Sequence, residues 1–402
     1  MKFVNSIKLD GLLSFAPGSQ TFELEPLNVL IGPNGVGKSN VIEAFELLRS
    51  MPTNFADAVR DGGGAGEWLW KGRTPPGPAV IDSVISGSAT PTGRDLRHTL
   101  KFTNVAQRVE VLDEAIEEAE PFEEHSQPYF YYRFQEGNPV INVRQADDGD
   151  LENSTSNRTR RFLKRQDLLP DQSVLAQRED PDLYPEVTWL GREFGNILTF
   201  REWTFGRYGP LRQSQPATLR RDHLLPGNQN LGMVLNRLQY QGATRFDQML
   251  KQFLHRYEST LTSVSGGFIQ FSLRETGFDT PIPATRLSDG TVRFIALLAI
   301  LLDPTPPPLV CIEEPELGLH PDAVALLGEL LIEASDRMQL VVTTHSDALV
   351  SALSDRPHSV VACEWSELGT ELSRLDPQQL DHWLESYQLG DVWRMGALGA
   401  NP

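Results

Sequence analysis

The stretch GPNGVGKS, residues 32–39, limits the folds open to this chain more than any other. It fits G-x-x-x-x-G-K-[ST] and stands between the apolar run LNVLIG and the segment NVIEAFELLRS (40–50), whose Val41, Phe45 and Leu48 recur at i, i+4 and i+7. Strand, glycine-rich loop and amphipathic helix together are the setting of a phosphate-binding loop. The glycines let successive backbone N–H groups turn inward, at a helix start whose dipole favours anions. The pattern assigns Lys38 to the β- and γ-phosphates of a nucleotide and the Ser39 hydroxyl to Mg²⁺. Asn34, Gly35, Gly37, Lys38, Ser39 and Asn40 form the expected nucleotide-binding set.

The last third of the chain adds carboxylates. LVCIEE (309–314) is an apolar strand that ends in two glutamates, followed at once by PELGLHP. A carboxylate at the carboxyl end of a parallel strand faces the crevice where ligands of such sheets bind. Glu313 is therefore read as holding Mg²⁺ through water, and Glu314 as the general base that polarises the attacking water. A second apolar strand, LVVTTH (340–345), ends at His345, placed to sense the γ-phosphate. Upstream, RLSDGTVRF (286–294) offers Ser288 as the N-cap of an apolar helix and Gly290 as a point of close backbone approach.

Three regions follow from the patterning. Residues 1–104 hold short alternating strands and the phosphate loop, with the Gly/Pro-rich passage 61–78 read as loop. Residues 105–264 are polar and irregular, with a hairpin turning at Gly137-Asn138-Pro139, a polar stretch (146–160) read as mobile, and helices near 229–240 and 244–262. Residues 265–402 alternate apolar strands with helices, which implies a parallel sheet covered on both faces. The longest apolar run, FIALLAILL, has the length of a buried helix and not of a membrane span. Cys311 and Cys363 lie in apolar runs and are expected as buried free thiols in a reducing, cytoplasmic setting.

GPNGVGKSN, LSDG, CIEEPELGLHP and TTHS occur in that order, and the set resembles the ABC-type ATPase heads of the RecF/SMC/OLD branch. LLPGNQNLGMVLNRL (224–238) and the ending LGDVWRMGALGANP resemble a compact bacterial subgroup of predicted AAA-family ATPases. The resemblance implies an α/β P-loop NTPase of ABC-head type: a mixed central sheet, an antiparallel β lobe and an inserted middle region. It also implies a homodimer closed head-to-tail around ATP, in which Ser288 and Gly290 contact the γ-phosphate in trans. The function implied is an ATP-hydrolysing switch that acts on DNA or on an effector protein, of DNA-repair or anti-phage type. The alternative is the ATPase subunit of a membrane transporter.

Three features depart from the family pattern. Glu313 stands where an aspartate is usual, LSDG, which looks like the family's signature, lacks its second glycine and its glutamine, and Leu13 precedes Ser14-Phe15 where many relatives have an arginine.

The net charge of −18 excludes a generally basic coat for nucleic acid but leaves a local patch in RTRRFLKR: Arg158, Arg160, Arg161, Lys164 and Arg165. That patch suits DNA or an acidic partner protein. Asp148-Gly149-Asp150 reads as solvated surface, and YFYYRF (129–134) as a strand with alternate rings in the core. Only 57 residues follow His345, fewer than a C-terminal nuclease domain needs, and His320 and His345 lack zinc-ligand spacing.

Overall fold

The computed structural model describes residues 1–400 except 73–76, 123–125, 136–137, 145–157, 205, 243 and 368. Two compact units are built from interleaved segments. The first comprises Met1–Pro26, Gly32–Ile197 and Ala362–Ser373; the second comprises Leu27–Ile31, Leu198–Val361 and Arg374–Pro402.

The chain begins with β1 (Val4–Asp10), β2 (Phe22–Glu23) and β3 (Leu27–Ile31), of which β3 belongs to the second unit. The first unit continues with β4 (Ala79–Ile85), β5 (Leu96–Val105), β6 (Arg108–Glu118), β7 (Phe130–Gln135), β8 (Asn138–Arg144) and β9 (Arg158–Phe162). Without β3, these form one antiparallel sheet in the order β2-β1-β4-β5-β6-β7-β8-β9. β4 alternates buried and half-buried residues along its whole length, as a sheet with one covered face requires. On the covered side Phe55 meets Phe102 edge-on at 5.3 Å, and His98 meets Phe194 at 5.4 Å. The helix Lys38–Ser50 buries Val41, Phe45 and Leu48, the stripe expected from its spacing.

The hairpin of β7 and β8 forms, but Asn138 and Pro139 stand in β8, opposite Gln135 and Phe134, and not in the turn. The aromatic run also departs from simple alternation, because Tyr131 and Tyr132 are both buried. The register explains it. Ile116 pairs with Tyr132 and Glu117 with Phe130, so Tyr131 is the extra residue of a β-bulge and the period of two breaks there. Asp148-Gly149-Asp150 lies outside the described residues, and of the polar stretch 146–160 only the last three, in β9, are described.

The second unit contains β10 (Leu198–Phe200), β11 (Gln215–Pro216), β12 (Tyr257–Ser265), β13 (Phe268–Glu275), β14 (Ile282–Pro283), β15 (Leu309–Glu313) and β16 (Gln339–Thr343). β17 (Val360–Ser366) begins here and continues in the first unit, where β18 (Gly369–Arg374) follows it. β10, β15, β16 and β3 run parallel in that order. β3 and β16 are buried at every position and β15 at all but its last, the pattern of a sheet covered on both faces.

The helix Asp289–Leu301 is buried from Thr291 to its end, and with Pro321–Ser335 it covers this sheet. The helix Leu231–Tyr240 matches its expected place. The next one is shorter than expected: it spans Thr244–Phe253, and Tyr257 already opens β12. Cys311 and Cys363 are buried free thiols, and burial pushes the Cys363 thiol up to about 12.

Candidate nucleotide site

The phosphate loop is built wholly within the first unit. Gly35 and Gly37 have φ of 80° and 100°, left-handed values that cost a residue with a Cβ dearly. Gly37 is the N-cap of Lys38–Ser50 and brings no side-chain acceptor to the helix start, where the helix dipole favours an anion. A Cβ on Gly37 would lie 2.2 Å from the Thr370 hydroxyl and 2.4 Å from that of Ser14. Gly32 is equally constrained, since its Cβ would lie 2.4 Å from the Cys363 carbonyl oxygen. The buried Lys38 donates from Nζ to the carbonyls of Gly32 (2.7 Å) and Pro33 (2.9 Å), which holds its ammonium over the loop.

A relay of hydroxyls braces the loop from beneath. Thr370 in β18 donates to the Val36 carbonyl at 2.7 Å, and its oxygen lies 2.6 Å from that of Ser14. A carbonyl can only accept, so the Thr370 proton goes to Val36 and the Ser14 hydroxyl donates to Thr370. Asn40 in turn donates to Ser14 at 2.6 Å. Thr370 is 334 residues from Val36, and no local signal marks it. Asn40, assigned from the sequence to the nucleotide, spends its amide on Ser14.

The carboxylates lie in the second unit. Glu313 ends β15, and Glu313, Thr343 and Leu30 are level across three parallel strands, so β15, β16 and β3 finish along one sheet edge. Glu313 accepts from Arg201 Nε at 3.1 Å, an ion pair the sequence does not announce. Glu314 adopts φ 44°, left-handed backbone that costs a non-glycine residue of order 1–3 kcal/mol. It is pinned there from both sides. Its N–H donates to the Thr343 carbonyl at 3.0 Å, and its own carbonyl accepts from the guanidinium of Arg293. Its carboxylate stands 3.7 Å from His345 Nε2.

Glu316 is engaged by the histidine loop. It accepts from the Thr344 hydroxyl at 2.6 Å and from the His345 N–H at 3.1 Å, which fixes the histidine loop to the strand-end glutamates.

The signature segment closes this group. Ser288 is the N-cap expected of it, accepting from Thr291 N–H at 3.1 Å. Gly290 packs so closely that a Cβ would lie 2.9 Å from the Gly318 carbonyl. Asp289 accepts from Arg212 (2.5 Å) and from Gly206 N–H (3.1 Å). Arg293, one turn along, is fully buried with its guanidinium 4.7 Å from the Trp203 ring, and burial pushes it down to about 10. Through Arg293 the signature helix bears directly on the backbone of Glu314. Arg201 stands in no motif and Arg293 lies in RLSDGTVRF with no role marked for it; the fold brings them to Glu313 and Glu314.

Residues 27–351 match the family model described as "AAA domain, putative AbiEii toxin, Type IV TA system". The chain belongs to this AAA-domain family. A crystal structure of an Smc head bound to the C-winged helix domain of ScpA superposes with a TM-score of 0.57 at 12% identity, covering 94% of this chain and 99% of that one. An Smc head with an extended coiled coil, bound to the C-terminal domain of ScpA from Pyrococcus furiosus, gives 0.57 at 11% identity, covering 96% and 99%. Comparison with curated proteins finds no match. This AAA-domain protein thus has the ABC-type ATPase fold of the RecF/SMC branch.

The basic run lies apart from these residues. Arg158 is withdrawn from any surface role: both its terminal nitrogens bind Glu186, at 2.9 and 2.5 Å, in a buried pair. Arg160, Arg161, Lys164 and Arg165 remain exposed.

Proposed function

We propose that the protein is a Mg²⁺-dependent ATPase that closes as a head-to-tail homodimer around ATP, works in the cytoplasm, and acts on DNA or on an effector protein. The observation that carries the nucleotide assignment is the phosphate loop. It has a glycine N-cap with no side-chain acceptor, a buried lysine over its carbonyls, and a hydroxyl relay beneath. This donor set suits a polyphosphate. Mg²⁺ fits as well: the Ser39 hydroxyl and Glu313 are the oxygen donors such an ion takes, and Arg201 already balances the Glu313 charge. Bound there, the ion would supply positive charge against the charge that develops on the transferred phosphoryl group.

The chain's own residues divide the remaining work. Lys38 binds the β- and γ-phosphate oxygens, and the amides at Gly35, Gly37 and Ser39 orient them. Glu314 accepts the proton of the attacking water, and His345, within 3.7 Å of Glu314, orients water and γ-phosphate together. Ser288, Gly290 and the exposed Leu317 beside them supply the contacts proposed in trans. A signature segment tied through Arg293 to Glu314 would make hydrolysis depend on the second subunit. The family's description, with its toxin and toxin–antitoxin terms, is in keeping with a bacterial defence role.

Equilibrium ATP binding by Lys38→Ala tests the assignment. A loss of about 100-fold or more is expected for removal of a buried charged phosphate ligand. Unchanged affinity would sink it.

A further inference from the structure

The last strand of the antiparallel sheet carries an unusual surface. β9 pairs with β8 from Arg158↔Arg144 to Phe162↔Val140, and among the described residues it is the sheet's outermost strand. Arg160, Arg161, Lys164 and Arg165 are exposed on or just beyond it, in a chain of net charge −18. Phe162, in their midst, is 76% exposed. An aromatic ring so open to water is a cost unless something covers it. Arg160 lies over the Phe130 ring at 5.5 Å, and Arg161 reaches the Tyr184 hydroxyl at 3.5 Å, so both guanidinium groups are pre-positioned and not loose.

The same segment opens into a cavity of about 740 Å³. The exposed Lys164 and Arg165 form its rim, Tyr132 and Phe134 give it ring surfaces, and Gln166 gives it an exposed amide, whereas the Gln177 amide is taken up by the Leu169 N–H and by the carbonyls of Leu169, Gln172 and Ser173. It has the volume of a small-molecule site. Its charge is the reverse of the rim's, for Glu114 and Glu110 also line it. Glu114 is held by the Ser173 hydroxyl (2.6 Å) and the Val174 N–H (2.8 Å), and Glu110 lies 3.4 Å from Arg165. The buried Glu114 carboxylate inside and the exposed cations outside favour a ligand with its negative charge on a backbone and a neutral, planar group that can enter the cavity.

We propose that the β9 edge and this cavity bind single-stranded nucleic acid. By register Phe162 shares a face with Arg133, and Arg161 shares the opposite face with Tyr132 of the cavity, so the bound strand passes over the sheet edge. Arg160, Arg161 and Lys164 contact phosphates, Phe162 stacks on a base on one face, and the cavity receives a neighbouring base against its ring surfaces on the other. A duplex satisfies the cations but leaves Phe162 and the cavity unused, since its bases are paired and stacked. A peptide of acidic side chains likewise satisfies the cations but brings no rings to stack on Phe162 or on the rings of the cavity. The inference goes beyond the ATPase reading and does not depend on it, because the site lies in the β lobe and needs no nucleotide.

Fluorescence anisotropy on the full chain without ATP tests it. The probes are oligo(dT) and oligo(rU) of about 20 nucleotides, an abasic strand of equal length, a duplex, and an acidic peptide. Single strands should bind tightest, and either sugar supports the proposal. Three phosphate contacts predict an affinity about 20-fold weaker when salt rises fourfold, from about 50 to about 200 mM. Phe162→Ala should lose about 5- to 100-fold with an unchanged circular dichroism spectrum, and the abasic strand should lose at least as much. The proposal is overturned by an absence of single-strand binding at low salt, by a duplex or acidic peptide bound as tightly, or by an abasic strand bound like oligo(dT).

Discussion

Thr370→Val isolates the brace beneath the phosphate loop. The side chain is buried, and valine keeps its shape and its fitness for a strand while removing only the hydroxyl. Two hydrogen bonds go, to the Val36 carbonyl at 2.7 Å and with Ser14 at 2.6 Å. Asn40 still donates to Ser14, so the Val36 carbonyl is the main group stranded. A buried acceptor left without a donor costs about 1–3 kcal/mol. If the relay holds the loop in its phosphate-binding form, most of that penalty falls on nucleotide affinity, and about 1.4 kcal/mol of it weakens binding tenfold. Titration calorimetry with ATP should therefore show affinity about 5- to 30-fold lower than the parent's. Thr370→Ser, which keeps the hydroxyl, should stay within about threefold. The reasoning fails if valine binds ATP like threonine, or if serine and valine lose equally.

Two further predictions concern the second unit. Ser288→Arg removes an N-cap worth about 0.5–2 kcal/mol and places a long cation on the signature segment. Within-subunit ATP affinity should change less than about threefold, while ATP-induced dimers vanish from light-scattering chromatography; normal dimerisation would remove the trans role. Asp303 is buried, and hydrogen bonds from His223 (2.9 Å), Thr305 N–H (2.9 Å) and Arg237 (2.8 Å) outweigh the burial that would raise its pKa, holding it below the usual carboxylate range. Because the folded value is depressed, its stabilisation is present above about pH 4 and is lost as pH falls through the folded value. Asp303→Asn should cost about 3 kcal/mol in denaturant unfolding at neutral pH, with the gap to the parent narrowing below about pH 4. A gap that does not change with pH would contradict the charge assignment.

The parallel sheet, the phosphate loop and the two glutamates were legible because each leaves a local trace. Fully buried strands read as unbroken apolar runs, and Gly37 needs a left-handed turn that a P-loop pattern encodes in eight residues. Ser288 was legible as a cap for the same reason, since its partner Thr291 is three residues away.

What escaped the sequence acts across distance. Thr370 meets Val36 from another segment, Arg201 reaches Glu313 from the end of a neighbouring strand, and Arg293 touches Glu314 only because the signature helix is buried. The inward pair Tyr131 and Tyr132 escaped because one inserted residue resets the strand's period. The overlong helix, 244–262, followed from continuing polar residues that the strand β12 in fact claims.

The central claim is that Glu314 is the base of an ATPase that closes around its substrate. Glu314→Gln keeps the left-handed backbone, the bond from Arg293 and nearly the same volume, but cannot take a proton at neutral pH. With Mg-ATP the variant should bind nucleotide as the parent does, hydrolyse it about 100-fold or more slowly, and accumulate as a dimer in light scattering. A variant that turns over ATP at the parent's rate, or that binds ATP and stays monomeric, would contradict the account.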